Sequence, residues 1–148
     1  RLLNGLSQIQ SDLIFYMQED FWAIKDFNLE DNFLKLFKKY KMDCLRICFT
    51  SNLTSLSHIS NNLYKYDRHS PYSISHQYSL WDKEYFMSNV NSNESPWENE
   101  IYGSNRINEN NHNIYHIDNH WYEPVSMQGE LQQIGYDILK NNNLTILK

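Results

Sequence analysis

Ser11-Asp12-Leu13-Ile14-Phe15-Tyr16-Met17-Gln18-Glu19-Asp20-Phe21 is the stretch on which the fold turns. Leu13 to Met17 form a short, nearly continuous apolar run. Runs of this kind mark strands covered on both faces, as in the central sheet of an α/β protein. The run passes directly into Gln18-Glu19-Asp20, so two adjacent carboxylates stand at the carboxyl end of the predicted strand. Open α/β sheets bind ligands outside such ends. Hard divalent cations prefer carboxylate oxygens and keep positions open for substrate phosphates. Glu19 and Asp20 are therefore candidate ligands for Mn²⁺ or Mg²⁺; the plainer reading is a solvated acidic turn.

Outward from this stretch the chain keeps an α/β rhythm. Upstream, Leu2, Leu3, Leu6 and Ile9 recur at helical spacing, so residues 1–10 read as the end of a helix. Downstream, Asn28 reads as an N-cap with Glu30 and Asp31 in the first turn. Leu29, Phe33, Leu36, Phe37 and Tyr40 then form one helical stripe, and Cys44 to Phe49 a second strand. Residues 50–70, rich in Ser and Asn, predict a long loop. Tyr72 to Leu80 predict a strand, Trp81 to Val90 a helix, Asn91 to Pro96 a turn and Trp97 to Ile101 one helical turn. Asn105 to Asn113 read as a polar loop. Ile114 to Ile117 and Trp121 to Met127 read as strands that would form a hairpin. Gly129 to Lys140 closes as a helix with Leu131, Ile134, Ile138 and Leu139 on one face.

The chain's 148 residues fit a single domain, and 41% hydrophobic content supplies a core. Eleven Tyr, seven Phe and four Trp are a high aromatic share, suited equally to a Tyr-rich core and to a cleft for a polar ring. The formal charge of −5 and the absence of a long basic run argue against nucleic-acid binding. Lys38, Lys39 and Lys41 sit where a predicted helix ends, complementing its dipole. Cys44 and Cys48 lie four apart in an extended run, roughly 13 Å at the ~3.3 Å rise of a strand. That is too far for a disulfide, so buried thiols in a cytoplasmic protein are expected. No apolar run reaches transmembrane length, and no signal-peptide pattern is present. The chain opens on Arg1-Leu2-Leu3 already inside an amphipathic pattern, from which we expect an upstream portion.

Three further constellations invite a chemical reading. Asn93-Glu94-Ser95-Pro96-Trp97-Glu98-Asn99-Glu100 sets three carboxylates around a Trp. A carboxylate serves as a general base and a Trp face accepts the C–H groups of a sugar. On spacing alone, an acidic helix start explains the block better. Taken as a site, Trp97 and Glu100 would share a helical face, so Glu100 ranks first as base, Glu98 second and Glu94 third. In Tyr72 to Trp81, alternation puts His76 on one face with Ile74 and Tyr78, and Gln77 opposite; a hydrogen-bonded core histidine is the favoured reading of His76. His112, His116 and His120 stand at i, i+4, i+8, but in a loop-to-strand context with poor helix formers between them. Without a His-Glu-x-x-His pattern, we do not expect a structural zinc there.

The segments Ser11 to Phe21, His76-Gln77-Tyr78-Ser79-Leu80-Trp81-Asp82-Lys83-Glu84-Tyr85, Glu94 to Glu100 and Gly103-Ser104-x-Arg106 together resemble bacterial glycosyltransferases of capsule and lipopolysaccharide assembly. Order and spacing agree over roughly residues 1–106, and the final strands and helix fit less specifically. The resemblance implies a GT-A-like, α/β mixed sheet with flanking helices. It also implies a nucleotide-sugar donor, a glycan or lipid-linked glycan acceptor and usually Mn²⁺ or Mg²⁺. The first Asp of the family's Asp-x-Asp-like motif is replaced by Gln18, which leaves Asp20 as direct ligand and Glu19 as a second ligand or ribose contact. By the same resemblance His76, Gln77, Trp97 and Arg106 are candidate substrate contacts. The strands that bind the nucleotide precede the acidic motif in that family, so 1–148 would be the metal- and acceptor-side portion. Its expected place is the cytoplasm, peripheral to the inner membrane face. Two rival classes remain: a metal-dependent hydrolase or phosphotransferase using the same acidic turn, and a non-catalytic glycan-binding domain.

Overall fold

The computed structural model describes residues 1–24, 31–48, 56–118, 121–127 and 129–144, with the backbone alone at 31 and 32. Helix α1 (Leu2–Ser7) leads into β1 (Leu13–Tyr16) and the short β2 (Phe21–Ala23). Helix α2 (Asp31–Tyr40), β3 (Cys44–Cys48), β4 (Leu56–Ser60), β5 (Leu63–Tyr66) and β6 (Ser79–Asp82) follow. After α3 (Lys83–Asn89) comes a composite helix: α4 (Pro96–Glu98), a π-helical turn (Asn99–Gly103) and α5 (Ser104–Glu109). The chain closes through β7 (Ile114–Asp118), β8 (Tyr122–Pro124), β9 (Ser126–Met127), β10 (Glu130–Leu131) and α6 (Gln133–Asn141).

Six strands form one mixed sheet in the order β1-β6-β3-β7-β5-β4, while β2 pairs with β8 and β9 with β10. Only β3 and β7 run parallel; β6 is antiparallel to both β1 and β3. β1, β3 and β7 therefore point the same way and end on one side of the sheet. Every residue of β3 is buried, as an inner strand covered on both faces requires. On one face Leu45 and Ile47 join Phe37 of α2 with Leu80, Tyr115, Ile117, Trp121 and Tyr122. On the other, Cys44 and Ile114 meet Leu6 of α1, Phe86 of α3 and Ile107 of α5. Helices thus cover both sides of the sheet. The α/β class holds, and both cysteines are buried free thiols.

Several boundaries differ from the sequence reading. β1 stands at the sheet's edge, not its centre. Its apolar run arises because Leu13 and Phe15 pack into one core and Ile14 and Tyr16 into the other. The part of 50–70 that is described holds the β4–β5 hairpin, whose outward face carries His58, Ser60 and other polar side chains that mask its periodicity. Tyr72 to Tyr78 is irregular, and the strand begins only at Ser79. The Asn-rich stretch from Asn105 is helical up to Glu109, because Ile107 anchors it in the core. The predicted 114–127 hairpin does not form: β7 pairs with β3 and β5, and β8 with β2. The expected caps at Asn28 and the residue His120 lie outside the described residues.

Candidate functional site

The antiparallel register sets Tyr16, the last residue of β1, opposite Ser79, the first residue of β6. The acidic turn leaving β1 and the segment His76-Gln77-Tyr78 arriving at β6 are therefore side by side. Backbone bonds pin the turn: the Asp20 carbonyl accepts from Val125 N at 2.7 Å, and Phe21 N donates to the Gln18 carbonyl at 3.4 Å. The Trp22 indole donates to the Glu19 carbonyl at 3.0 Å and the Tyr78 hydroxyl to the Phe21 carbonyl at 2.6 Å. Glu19 is exposed and borders an open hollow of about 510 Å³ with Met17, Gln18, Phe21, Trp22 and Tyr78. Asp20 is half-buried, and its Oδ1 is buried with no hydrogen-bond partner among the described residues.

A buried carboxylate oxygen without a donor is costly unless something positive meets it. Among the described residues no three His, Cys, Asp or Glu side chains gather in ligand geometry. Mg²⁺ and Mn²⁺ sites of phosphate-handling enzymes use one or two carboxylates, with substrate phosphates and water supplying the rest. Asp20 with Glu19 fits a donor set of that kind, which would be incomplete until substrate arrives.

The Glu94–Glu100 block is a helix start built to rule. Ser95 Oγ accepts from Glu98 N at 3.3 Å and Ser95 N donates to Glu98 Oε2 at 2.8 Å. This is a capping box, with Pro96 at the first helical position. The Ser-x-x-Glu spacing with Pro carried that signal in the sequence. Glu98 is thus occupied with its own helix, and that bond holds its carboxyl below the usual range. Glu94 takes both guanidinium nitrogens of Arg106, at 2.7 and 2.8 Å. Arg106 also donates to the Asn89 carbonyl at 2.8 Å, tying α5 to the end of α3. Trp97 is 76% exposed.

Glu100 enters the site from the π turn, where its Oε1 accepts the backbone N–H of His76 at 2.7 Å. The His76 imidazole is buried between Tyr16 and Phe86, with ring centroids 5.4 and 6.4 Å away. The buried Asn99 amide and the Pro96 carbonyl lie beside the ring. Burial lowers the His76 basicity; the Glu100 charge, the Asn99 amide and the Pro96 carbonyl pull it partly back. His76 is a buried histidine whose polar neighbours are the Asn99 amide and the Pro96 carbonyl. Burial raises the Tyr16 phenol above its ordinary value, and the charges of Glu19, Glu100 and Asp20 add to the effect. Tyr16 thus stands between the acidic turn and the 94–100 block. Gln77 faces away and its Oε1 accepts from the Tyr122 hydroxyl at 3.4 Å.

Asn99 escaped the sequence reading. Its Nδ2 donates to the Asn89 carbonyl at 2.9 Å and to Glu94 Oε2 at 3.1 Å. Nothing local marks it among so many Asn, apart from its place inside the charged block. His112 and His116 do not share a site. His116 is fully buried on β7, with Nδ1 3.8 Å from Cys48 Sγ, whereas His112 precedes the strand beside Asn113 and Lys65. Comparisons with family models, with curated proteins and with solved structures find no match. Among the described residues no helix is long and apolar enough to cross a membrane.

Proposed function

We propose that this chain is the acidic-motif and acceptor-side part of a GT-A-type glycosyltransferase, moving a sugar from a nucleotide-diphosphate donor to a hydroxyl of a glycan in surface-polysaccharide synthesis. The observation that carries the reading is the convergence at Tyr16: three segments distant in sequence, which together resemble that family, meet around one side chain at the carboxyl end of β1. Ligands of α/β sheets bind at such ends.

In this reading Asp20 and Glu19 hold Mn²⁺ or Mg²⁺, which supplies charge compensation for the departing diphosphate. Tyr78 and Trp22 wall the hollow where the phosphates would enter. Glu100 orders the His76 segment on the acceptor side, while Glu98, Glu94 and Arg106 build the helix that presents it. The rival hydrolase would use the same acidic turn and needs no acceptor.

Asp20→Asn tests the reading. Mn²⁺ binding, followed by electron paramagnetic resonance, should weaken at least tenfold, sugar transfer from a nucleotide-sugar panel should be nearly abolished, and circular dichroism should stay unchanged. Equal metal binding and equal turnover in the variant would remove the metal-site reading. Release of free sugar or phosphate with no acceptor present would move the chain to the hydrolases.

A further inference from the structure

At the end of the sheet opposite the acidic turn, where β3 and β7 begin, lies a separate cavity of about 330 Å³. Lys65, Tyr66 and Arg68 reach it from β5 and the turn that follows, and Asn110, Asn111 and His112 from the connection between α5 and β7. No carboxylate is among its lining residues. Lys65 Nζ donates to Asn113 Oδ1 at 3.0 Å and stands 5.6 Å from the centre of the Tyr115 ring, while Arg68 is exposed. Among the described residues neither cation makes an ion pair with an acid. Asp43 acts on both Lys65 and His112 by its charge, but its Oδ2 accepts the Asn113 N–H at 2.7 Å. His112 is buried, and neither of its ring nitrogens has a hydrogen-bond partner among the described residues. Folded proteins retain few such groups. In a chain of formal charge −5, two cations without an acid partner and a buried imidazole around one acid-free cavity are a local feature that composition does not explain.

We infer that this cavity binds the phosphate group of a small phosphate monoester, held by Lys65 and Arg68, with His112 as the buried group that responds to its charge. The inference is independent of the sugar-transfer reading, which places its chemistry at the other end of the sheet. The donors select the ligand class. Lys65 keeps two N–H groups after its bond to Asn113, and the Arg68 guanidinium offers a planar fork that matches phosphate oxygens. Three terminal oxygens use more of that set than the two of a carboxylate. The volume lies within the ~300–1,000 Å³ of small-molecule pockets and leaves room for the organic part of the ester beside Tyr66 and the asparagine amides. The charges around His112 point the same way. Burial, then the Lys65 charge and to a lesser degree those of Arg68 and His69, lowers its basicity, and Asp43 draws it partly back. An anion beside those cations offsets their repulsion, so the bound state favours the imidazolium. By linkage, affinity then rises as pH falls through the range in which His112 titrates.

Both walls are preset. Ser70 N and Oγ donate to the Asp67 carbonyl at 3.1 and 2.7 Å, closing the turn that carries Arg68, and Asn108 Nδ2 donates to the Ser70 carbonyl at 2.9 Å. On the other wall, Asp43 N donates to the Asn113 carbonyl at 3.0 Å while Asn113 N donates to Asp43 Oδ2. Walls fixed in advance lose little freedom when a ligand arrives.

The test titrates the purified chain with inorganic phosphate and with glucose 6-phosphate, at ionic strength held constant with chloride. EDTA is present so that no metal carries the phosphate. In NMR with labelled histidine, the His112 ring signals should shift saturably with both probes, the ester binding at least as tightly as phosphate. The His112 titration midpoint should rise by about one pH unit in the bound chain. Sulfate, whose own charge is constant between about pH 5 and about pH 8, should bind more tightly at the lower pH. Arg68→Gln, a change at an exposed side chain, should weaken phosphate binding about tenfold. Lys65→Met keeps an apolar stem against Tyr115 and should do likewise, whereas Lys65→Arg should retain most of the affinity. A His112 signal that does not move, or that moves equally with chloride, would overturn the proposal. So would Arg68→Gln and Lys65→Met chains that bind like the parent, or phosphate binding with none of the ester.

Discussion

His116 shows how much one side chain's surroundings decide. It sits on β7 with no exposure, beside Cys48 and opposite Tyr64 in the sheet register, with Arg46 on the neighbouring strand. Burial first, and the Arg46 charge second, lower its pKa from 6.5 to about 3. It is therefore neutral in the folded protein, and the 4.0 Å approach of Nε2 to Asp118 is no ion pair at neutral pH. The unfolded chain takes up this proton near pH 6.5, whereas the folded chain refuses it until about 3. The unfolded state then binds more protons in that window, so stability is full above it and falls as pH drops through it, by up to ~1.4 kcal/mol per pH unit. Burial lowers His76 and His112 as well, and they act in the same direction. Urea unfolding at about pH 7 and about pH 5 should show the loss. In His116→Phe the difference between the two pH values should shrink but not vanish. A variant with an undiminished pH dependence would show that His116 titrates normally.

At the scale of elements, the composite helix from Pro96 to Glu109 does most to shape the site. Its start is specified locally by the capping box, but its π turn answers to tertiary packing. Gly103 closes that turn, and a Cβ there would lie 2.6 Å from Ile74 Cδ1, 3.1 Å from Asn99 Nδ2 and 3.3 Å from the Asn89 carbonyl. Ile74 is fully buried and cannot yield easily. Gly103→Ala should therefore destabilise by about 1–3 kcal/mol, the usual cost of overpacking, as read from the urea midpoint at unchanged slope. It should also disturb the Asn99 amide. A neutral or stabilising result would mean that the helix start can shift without loss.

Across the whole molecule, stability should follow the sheet order. β3 and β7 lie inside the sheet with both faces covered, whereas β1 and β4 stand at its ends with fewer ladder partners among the described residues. Native-state hydrogen exchange should find the slowest amides in β3 and β7, at the global unfolding free energy, and faster exchange in β4 and β1. Uniform protection across all six strands would contradict this gradient. The order also bears on function, because the strand that delivers Glu19 and Asp20 is an end strand. Its exit is held by bonds from Val125 to Asp20 and from Tyr78 to Phe21 more than by neighbouring strands.

What the sequence determined by itself was local. Periodicity marked α2, β3 and the apolar run of β1, and it placed two carboxylates where that run ends. Ser95-Pro96-x-Glu98 specified a helix start, and the four-residue spacing of Cys44 and Cys48 in an extended run forbade a disulfide within one strand. These features depend on neighbours a few positions away, which a single sequence displays directly. The tertiary structure decided everything that needs a distant partner. It put β1 at the edge, paired Ile114 to Asp118 with β3 instead of β8, turned an Asn-rich stretch into α5, and assigned Arg106 to Glu94. It also buried the His76 ring against Tyr16 and Phe86, beside the Asn99 amide. Periodicity reports that a face is covered without naming what covers it, and whether a buried polar atom finds a partner depends on chain segments twenty or more residues away.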